Sequence, residues 1–310
     1  MKRFLVFTDG KAGHENQSKA LAEGLGGEAV LQRFTFPNRW AKGWGYAVDH
    51  LGLPFAPTVP EGHFDAVICT GSNTFLAGKR AARRLGIPVV ANLFPRGWRL
   101  DFDCIVSPAF DAPPKRANVI ETPVNLTPSR PEWYEAKTAE FLARHQPTKP
   151  AAALILGGPN AVAQMTREWA NLACERFFAE TVGMERWVTT SRRTPMAVEH
   201  AVASWPFDYQ VLYSMNQFNP IPAFVSLAER LVVSSDSTGM LSEAVTRGTA
   251  GVEILLDFTG DGGKFGRFVE SLCAGGYARI FGKAIKGDAP NRKVDLAPIY
   301  AEVRRLLGLE

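Results

Sequence analysis

Residues 231–254 read LVVSSDSTGMLSEAVTRGTAGVEI, and no other stretch limits the fold as strongly. Leu231, Val232 and Val233 form a short apolar run suited to a buried parallel strand. Ser234, Ser235, Asp236, Ser237 and Thr238 follow, small polar residues whose oxygens can accept from the first free N–H groups of a helix or frame an anion held there. Met240, Leu241, Ala244 and Val245 recur at helical spacing, Gly248 stops the helix, and 251–256 returns as a strand. At about 100° per residue, Glu243 falls one and a half turns into that helix and can lie at the ligand edge instead of the core. Ligands of open α/β sheets lie beyond the carboxyl ends of the strands, where helix N-termini favour negative charge.

The same order of strand, turn and helix runs through the chain. Segment 3–8 predicts a first strand, 9–17 a loop, and a helix starts at Asn16 or Gln17 and ends at Leu25. Further strands are expected at 28–36, 64–70, 87–93 and 104–107, with a helix after Gly71, Ser72 and Asn73. Prolines 123, 128, 131, 147 and 150 surround one helical stretch at 133–144 and mark a junction. The pattern then restarts: strand 151–156, a turn, helix 162–178, strand 186–190, a turn, a helix from Pro195, strand 210–213 and segment 220–229. Closing helices are expected at 265–273 and 296–307. A chain of 310 residues is long for one core. The expected organisation is an N-terminal domain at 1–125, a junction at 126–150, a C-terminal domain at 151–290 and a last helix at 291–310 that packs back on the first domain. The fold class is α/β, with two Rossmann-like doubly wound domains facing a cleft.

Composition narrows the function. Lys and Arg number 35 against 31 Asp and Glu, a net charge of +4, which argues against a nucleic-acid partner. Cys69, Cys104, Cys174 and Cys273 are far apart, and the histidines form no i, i+4 pair, so no metal site is expected. No run approaches eighteen apolar residues and no signal peptide is apparent, so the expected setting is the cytoplasm.

Four turns could carry chemistry. Asp9, Gly10, Lys11, Gly13, Asn16 and Gln17 belong to a loop whose backbone N–H groups could approach an anion. Within it His14, oriented by Glu15 or Asp9, could remove a proton from a hydroxyl; a helix-capping or solvated histidine is the alternative. The loop is neither GxGxxG nor a P-loop. Gly157 and Gly158 form a second turn, and Ser191, Arg192, Arg193 and Thr194 a third, in which two arginines face an unfavourable helix dipole unless a phosphate reverses the sign. In the glycine-rich loop 257–268, Asp261, Gly262, Gly263 and Lys264 are available to a sugar or phosphate. Segments 36–44 (FPNRWAKGW) and 94–100 (FPRGWRL) mix aromatic and basic residues, suited to a membrane interface, to sugar stacking or to ordinary partial burial.

FTDGKAGHENQSKALAEGL, LGGPN, VTTSRRTP, NPIPAFVSLAERLVVSSDSTGMLSEAVTRGT and GGKFGRF, in that order, resemble the mitochondrial-fission "elongated mitochondria" family, whose bacterial members are regarded as GT-B glycosyltransferases. The stretch from Asp236 to Glu243 is also similar to the donor-site helix of GT-B enzymes. The resemblance implies a GT-B-like fold, with acceptor in the first domain and donor in the second. It implies a nucleoside diphosphate sugar as substrate, UDP favoured, no cofactor and no metal, and a lipid-linked or lipopolysaccharide-type acceptor at the inner-membrane surface. Glu243 would hold the ribose, with Ser237, Thr238, Gly158, Ser191 and Arg192 near the diphosphate, Gly157 and Asp236 also in the donor site, and His14 as general base. The glutamine-rich sugar segment of the peptidoglycan transferase has no counterpart here, since GDGGKFGRF takes its place. Two alternatives stay open: a sugar-nucleotide 2-epimerase of the same fold, and a non-catalytic recruiting scaffold like the plant relatives.

Overall fold

A computed structural model of the chain describes residues 1–128, 130–258, 260–283 and 287–309. The chain divides into two compact units, Met1–Ser129 with Asp295–Glu310, and Arg130–Val294.

In the first unit, β1 (Lys2–Thr8), α1 (Ala12–Gly24), β2 (Gly27–Arg33), α2 (Arg39–Leu51), β3 (Ala66–Thr70), α3 (Phe75–Leu85), β4 (Val89–Asn92), β5 (Cys104–Pro108) and β6 (Val119–Thr122) follow one another. Their strands pair in the order β2-β1-β3-β4-β5-β6, all parallel. Phe4, Leu5, Val6 and Phe7 are fully buried, as a strand covered on both faces requires.

The second unit contains α4 (Pro131–Leu142), β7 (Ala151–Ile155), α5 (Arg167–Glu180), β8 (Glu185–Thr189), α6 (Met196–Ala203), β9 (Tyr209–Val211), α7 (Ile221–Leu227), β10 (Arg230–Ser234), α8 (Thr238–Thr246), β11 (Gly251–Leu255), α9 (Gly263–Ala274) and β12 (Arg279–Ile280). Its parallel sheet runs β12-β11-β10-β7-β8-β9. α4 belongs here: Phe141 is buried against Trp187, Tyr209 and Phe224, with ring centroids 5.0–5.7 Å apart. The last helix, α10 (Ala297–Leu307), lies on the first unit. The Tyr300 ring occupies the space a Cβ at Gly24 would need, and Arg304 donates to the Gly24 carbonyl at 2.9 Å.

Several boundaries differ from expectation, each for a local reason. α1 begins at Ala12, not at Asn16 or Gln17, because Gly10 turns the chain at φ +79° and the Lys11 carbonyl already accepts from the His14 and Glu15 amides. Segment 36–44 is largely helix, begun by the Asn38 side chain accepting from Ala41 N at 2.9 Å. α5 starts at Arg167 instead of 162, since the Asn160 side chain takes the Val162 and Ala163 amides and Thr166 caps the helix. Half of the 257–268 loop is α9: Gly262, at φ +62°, is its N-cap and Asp261 accepts from Gly263 N at 3.0 Å. Thr259 of that loop lies outside the described residues.

Candidate functional site

Each sheet reverses its winding once, between β1 and β3 in the first unit and between β7 and β10 in the second. Such switch points leave a crevice at the carboxyl ends of the strands. Asp9 and His14 lie at the first, and Gly157, Gly158 and Asp236 at the second.

In the first unit, Asp9 follows β1 with its side chain 1% exposed. It accepts from His14 Nδ1 at 3.0 Å, from Lys11 N at 3.3 Å and from Asn73 Nδ2 at 3.3 Å, with Lys11 Nζ at 3.3 Å. Burial would raise its pKa, but the hydrogen bond and charge of His14, helped by Lys11, hold the carboxyl below its usual range. The His14 ring lies over Gly71, at the end of β3, where a Cβ would fall 2.4 Å from the ring and φ is +86°. One helical turn on, Ser18 accepts the contact of Thr70 at 2.6 Å between hydroxyls and donates to the His14 carbonyl. The His14 ring is thus held between Asp9 and Gly71, with Ser18 tied to its backbone carbonyl. Glu15 does not orient it, because Glu15 takes the Thr8 hydroxyl at 2.9 Å.

The expected anion loop is altered by the same contacts. Gly10 N donates to Thr8 Oγ1 and Lys11 N to Asp9, so the amides that could have met a ligand anion meet the chain's own oxygens. Gly13 and Asn16 are exposed, and Gln17 is half-buried. Lys42 reaches the next turn and donates to Ser72 Oγ at 2.6 Å; burial and then the charge of Lys11 lower its pKa.

In the second unit a buried carboxylate ties three turns together. Asp236 accepts from Ser234 Oγ at 2.6 Å, from Gly158 N at 2.9 Å and from the Arg193 guanidinium at 2.6 Å. A Cβ at Gly157 would fall 2.2 Å from Asp236, and one at Gly158 2.3 Å from the Arg193 backbone. The amides of both glycines are engaged inside the turns, Gly157 N donating to Ser234 Oγ. Asp257, after β11, accepts from Ser235 Oγ and Asp236 N; burial and the Asp236 charge push its acid well above the carboxylate range, against the Ser235 hydroxyl.

Arg193, not Arg192, makes the ion pair, while Arg192 is exposed and forms no hydrogen bond or ion pair among the described residues. Ser191 Oγ accepts from Arg193 N at 3.2 Å. Ser237 caps α8, whose first turn begins at Thr238. Glu243 sits further along α8 and accepts from Tyr134 Oη of α4 at 3.1 Å. Burial raises it to about 7, partly opposed by Tyr134 and Arg247. Asp261 is exposed and accepts from Gly263 N, and Lys264 lies 5.4 Å from the Phe265 ring centroid.

Asp257, Asn73 and Tyr134 were not singled out by the sequence pattern, and of the two adjacent arginines only Arg192 was assigned to the diphosphate. For the choice between them no signal existed, since two adjacent arginines look alike until one finds a carboxylate. Among the described residues no group of three or more His, Cys, Asp or Glu could hold a metal ion, and no helix is long and apolar enough to cross a membrane.

Two six-stranded parallel sheets of Rossmann type in one chain define a GT-B-like protein. The chain belongs to the family described as Mitochondrial fission ELM1, whose model matches residues 12–306. Its fold is similar to that of UDP-GlcNAc 2-epimerase from Methanocaldococcus jannaschii, with a TM-score of 0.52, 14% identity and 100% of each chain covered. It is also similar to S. aureus MnaA in a co-structure with UDP (TM-score 0.50, 12% identity, covering 100% of this chain and 98% of that one). A third similar structure is E. coli ADP-heptose LPS heptosyltransferase II, with a TM-score of 0.47, 11% identity, and 100% of this chain and 99% of that one covered. No curated protein sequence matches.

Proposed function

We propose that the chain transfers a sugar from a nucleoside diphosphate donor, UDP favoured, to a hydroxyl of a lipid-linked or lipopolysaccharide-type acceptor. The observation that carries this reading is the Asp9–His14 pair at the switch point of the first sheet. With Nδ1 donating to Asp9, Nε2 keeps its lone pair and serves as general base. The acceptor hydroxyl gives its proton to Nε2, its oxygen bonds to the anomeric carbon, and the bond from that carbon to the diphosphate oxygen breaks. The second unit supplies the donor groups: the N-terminus of α8 with Ser237 and Thr238, and Ser191 and Arg192, favour the charge of the leaving diphosphate. Glu243 takes the ribose hydroxyls, exchanging Tyr134 for the ligand. Asp236 keeps these turns in register without touching substrate. The UDP named for the fold neighbour MnaA supports the choice of nucleotide.

The test is a thermal-shift series with UDP and UDP-sugars on wild type, Glu243→Ala and His14→Gln. A ligand at 100 times its Kd adds about 2.7 kcal/mol. UDP should stabilise wild type and His14→Gln but not Glu243→Ala, and sugar transfer should be lost in His14→Gln. Donor turnover without any acceptor would replace transfer by 2-epimerisation, the second reading, which uses the same fold. Indifference to every nucleotide would leave a recruiting scaffold.

A further inference from the structure

One helix of the first unit has two apolar faces, and only one is covered. α2, RWAKGWGYAVDHL, turns Gly45, Val48 and Asp49 inward. Phe36 fills the space a Cβ at Gly45 would need, and Tyr46 stacks on Trp98 with centroids 4.1 Å apart. At about 100° per residue, Trp40, Trp44, Ala47 and Leu51 fall within about 60° of one another on the outer side. Trp40 is 82% exposed, Trp44 63% and Leu51 69%. Large aromatic side chains left bare along one stripe of an amphipathic helix need a partner.

The charges around the stripe say which kind. The only carboxylate of α2, Asp49, is buried, ion-paired with Lys79 and accepting from Arg99 N. Arg39 is exposed in the first turn, where the helix dipole disfavours a cation. Arg33 is exposed on the segment leading into the helix. The loop that packs on α2, through the Gly97–Tyr46 contact and the His50–Gly97 hydrogen bond of 3.1 Å, exposes Arg96 and Arg99. Arg96 donates to the Asp111 carbonyl and Arg99 shares Asp101 at 3.5 Å. Lys42 points back to Ser72.

We propose that α2 is a docking surface for an anionic phospholipid bilayer. The helix lies in the interface plane, Trp40, Trp44 and Leu51 enter the boundary between headgroups and acyl chains, and Arg39 and Arg96 meet lipid phosphates. A second copy of the chain is a poorer occupant, because a two-fold contact through this face would set the same cations against themselves. The inference stands whether or not the chain transfers sugar.

Co-sedimentation of the full chain with vesicles of phosphatidylcholine alone, and of phosphatidylcholine mixed with phosphatidylglycerol, tests it. Wild type should pellet with the mixed vesicles, less so as salt rises, and not with phosphatidylcholine alone. Trp40→Ser/Trp44→Ser should lower partitioning at least about tenfold, and Arg39→Glu at least about fivefold. All three side chains are exposed, so circular dichroism and Tm should stay at wild-type values. Failure of wild type to pellet with either vesicle, or equal pelleting of the tryptophan variant, would overturn the proposal. So would gel filtration showing a wild-type dimer that the tryptophan variant dissolves, which would make a second copy the occupant.

Discussion

Two turns of this chain, each at the switch point of its own sheet, are built around a buried aspartate, and they end as different objects. Asp9 accepts from a histidine whose second ring nitrogen remains available, and that histidine side chain is 23% exposed. Asp236 accepts from a hydroxyl, a backbone amide and a guanidinium, and its side chain is fully buried. A buried carboxylate needs donors in either case. What it becomes depends on whether one of those donors can titrate and still reach solvent. Asp9 therefore orients the histidine proposed as the base, and Asp236 is a strut.

The largest effect should come from breaking the strut. Asp236→Ala leaves Arg193 and the Gly158 amide without their acceptor, and urea unfolding should show a loss of about 3–5 kcal/mol. The same kind of change in the first unit should fall on activity. Asp9→Asn keeps the shape but removes the charge that holds His14, so transfer should drop about a hundredfold with Tm nearly unchanged. Equal stability losses in the two variants would erase the contrast.

Glu243 sharpens it through pH. The folded chain holds this acid at about 7, above its ordinary 4.5, so between those values the folded state binds more protons than the unfolded one. Stability should therefore fall as pH rises through that window, and the contribution is fully present only below it. Glu243→Gln should flatten the wild-type curve, with a gain of about 1–2 kcal/mol at pH 8 after allowance for its partial exposure. The smallest effect is expected at the exposed arginine: Arg192→Ala should change stability by less than about 0.5 kcal/mol while weakening UDP binding. Arg193→Ala should do the reverse, losing stability because it strips Asp236 of a charged partner.

Much of this architecture was legible in the chain itself. Buried parallel strands must be apolar throughout, so runs such as RFLVFT and LVVS announce themselves, and small polar turns followed by helical spacing show where each sheet meets its ligand edge. β6 and α2 were harder to see. Four-residue β6 precedes a proline-rich stretch, and the tryptophans of α2 give it an outer apolar face that blurs the helical period.

His14 and Asp236 could be picked as candidates from the turns that follow β1 and β10, and Glu243 from its spacing along α8, because position along the chain sets which turn or helix face a residue occupies. Only the tertiary structure decided that Asp9, not Glu15, holds the histidine, that Arg193 and not Arg192 makes the ion pair, and that Glu243 meets Tyr134 from a helix 109 residues away in sequence. The physical reason is common to all three. Spacing fixes which side chains share a turn, whereas a buried carboxylate is matched to its donors by packing across strands and helices that the chain brings together from afar.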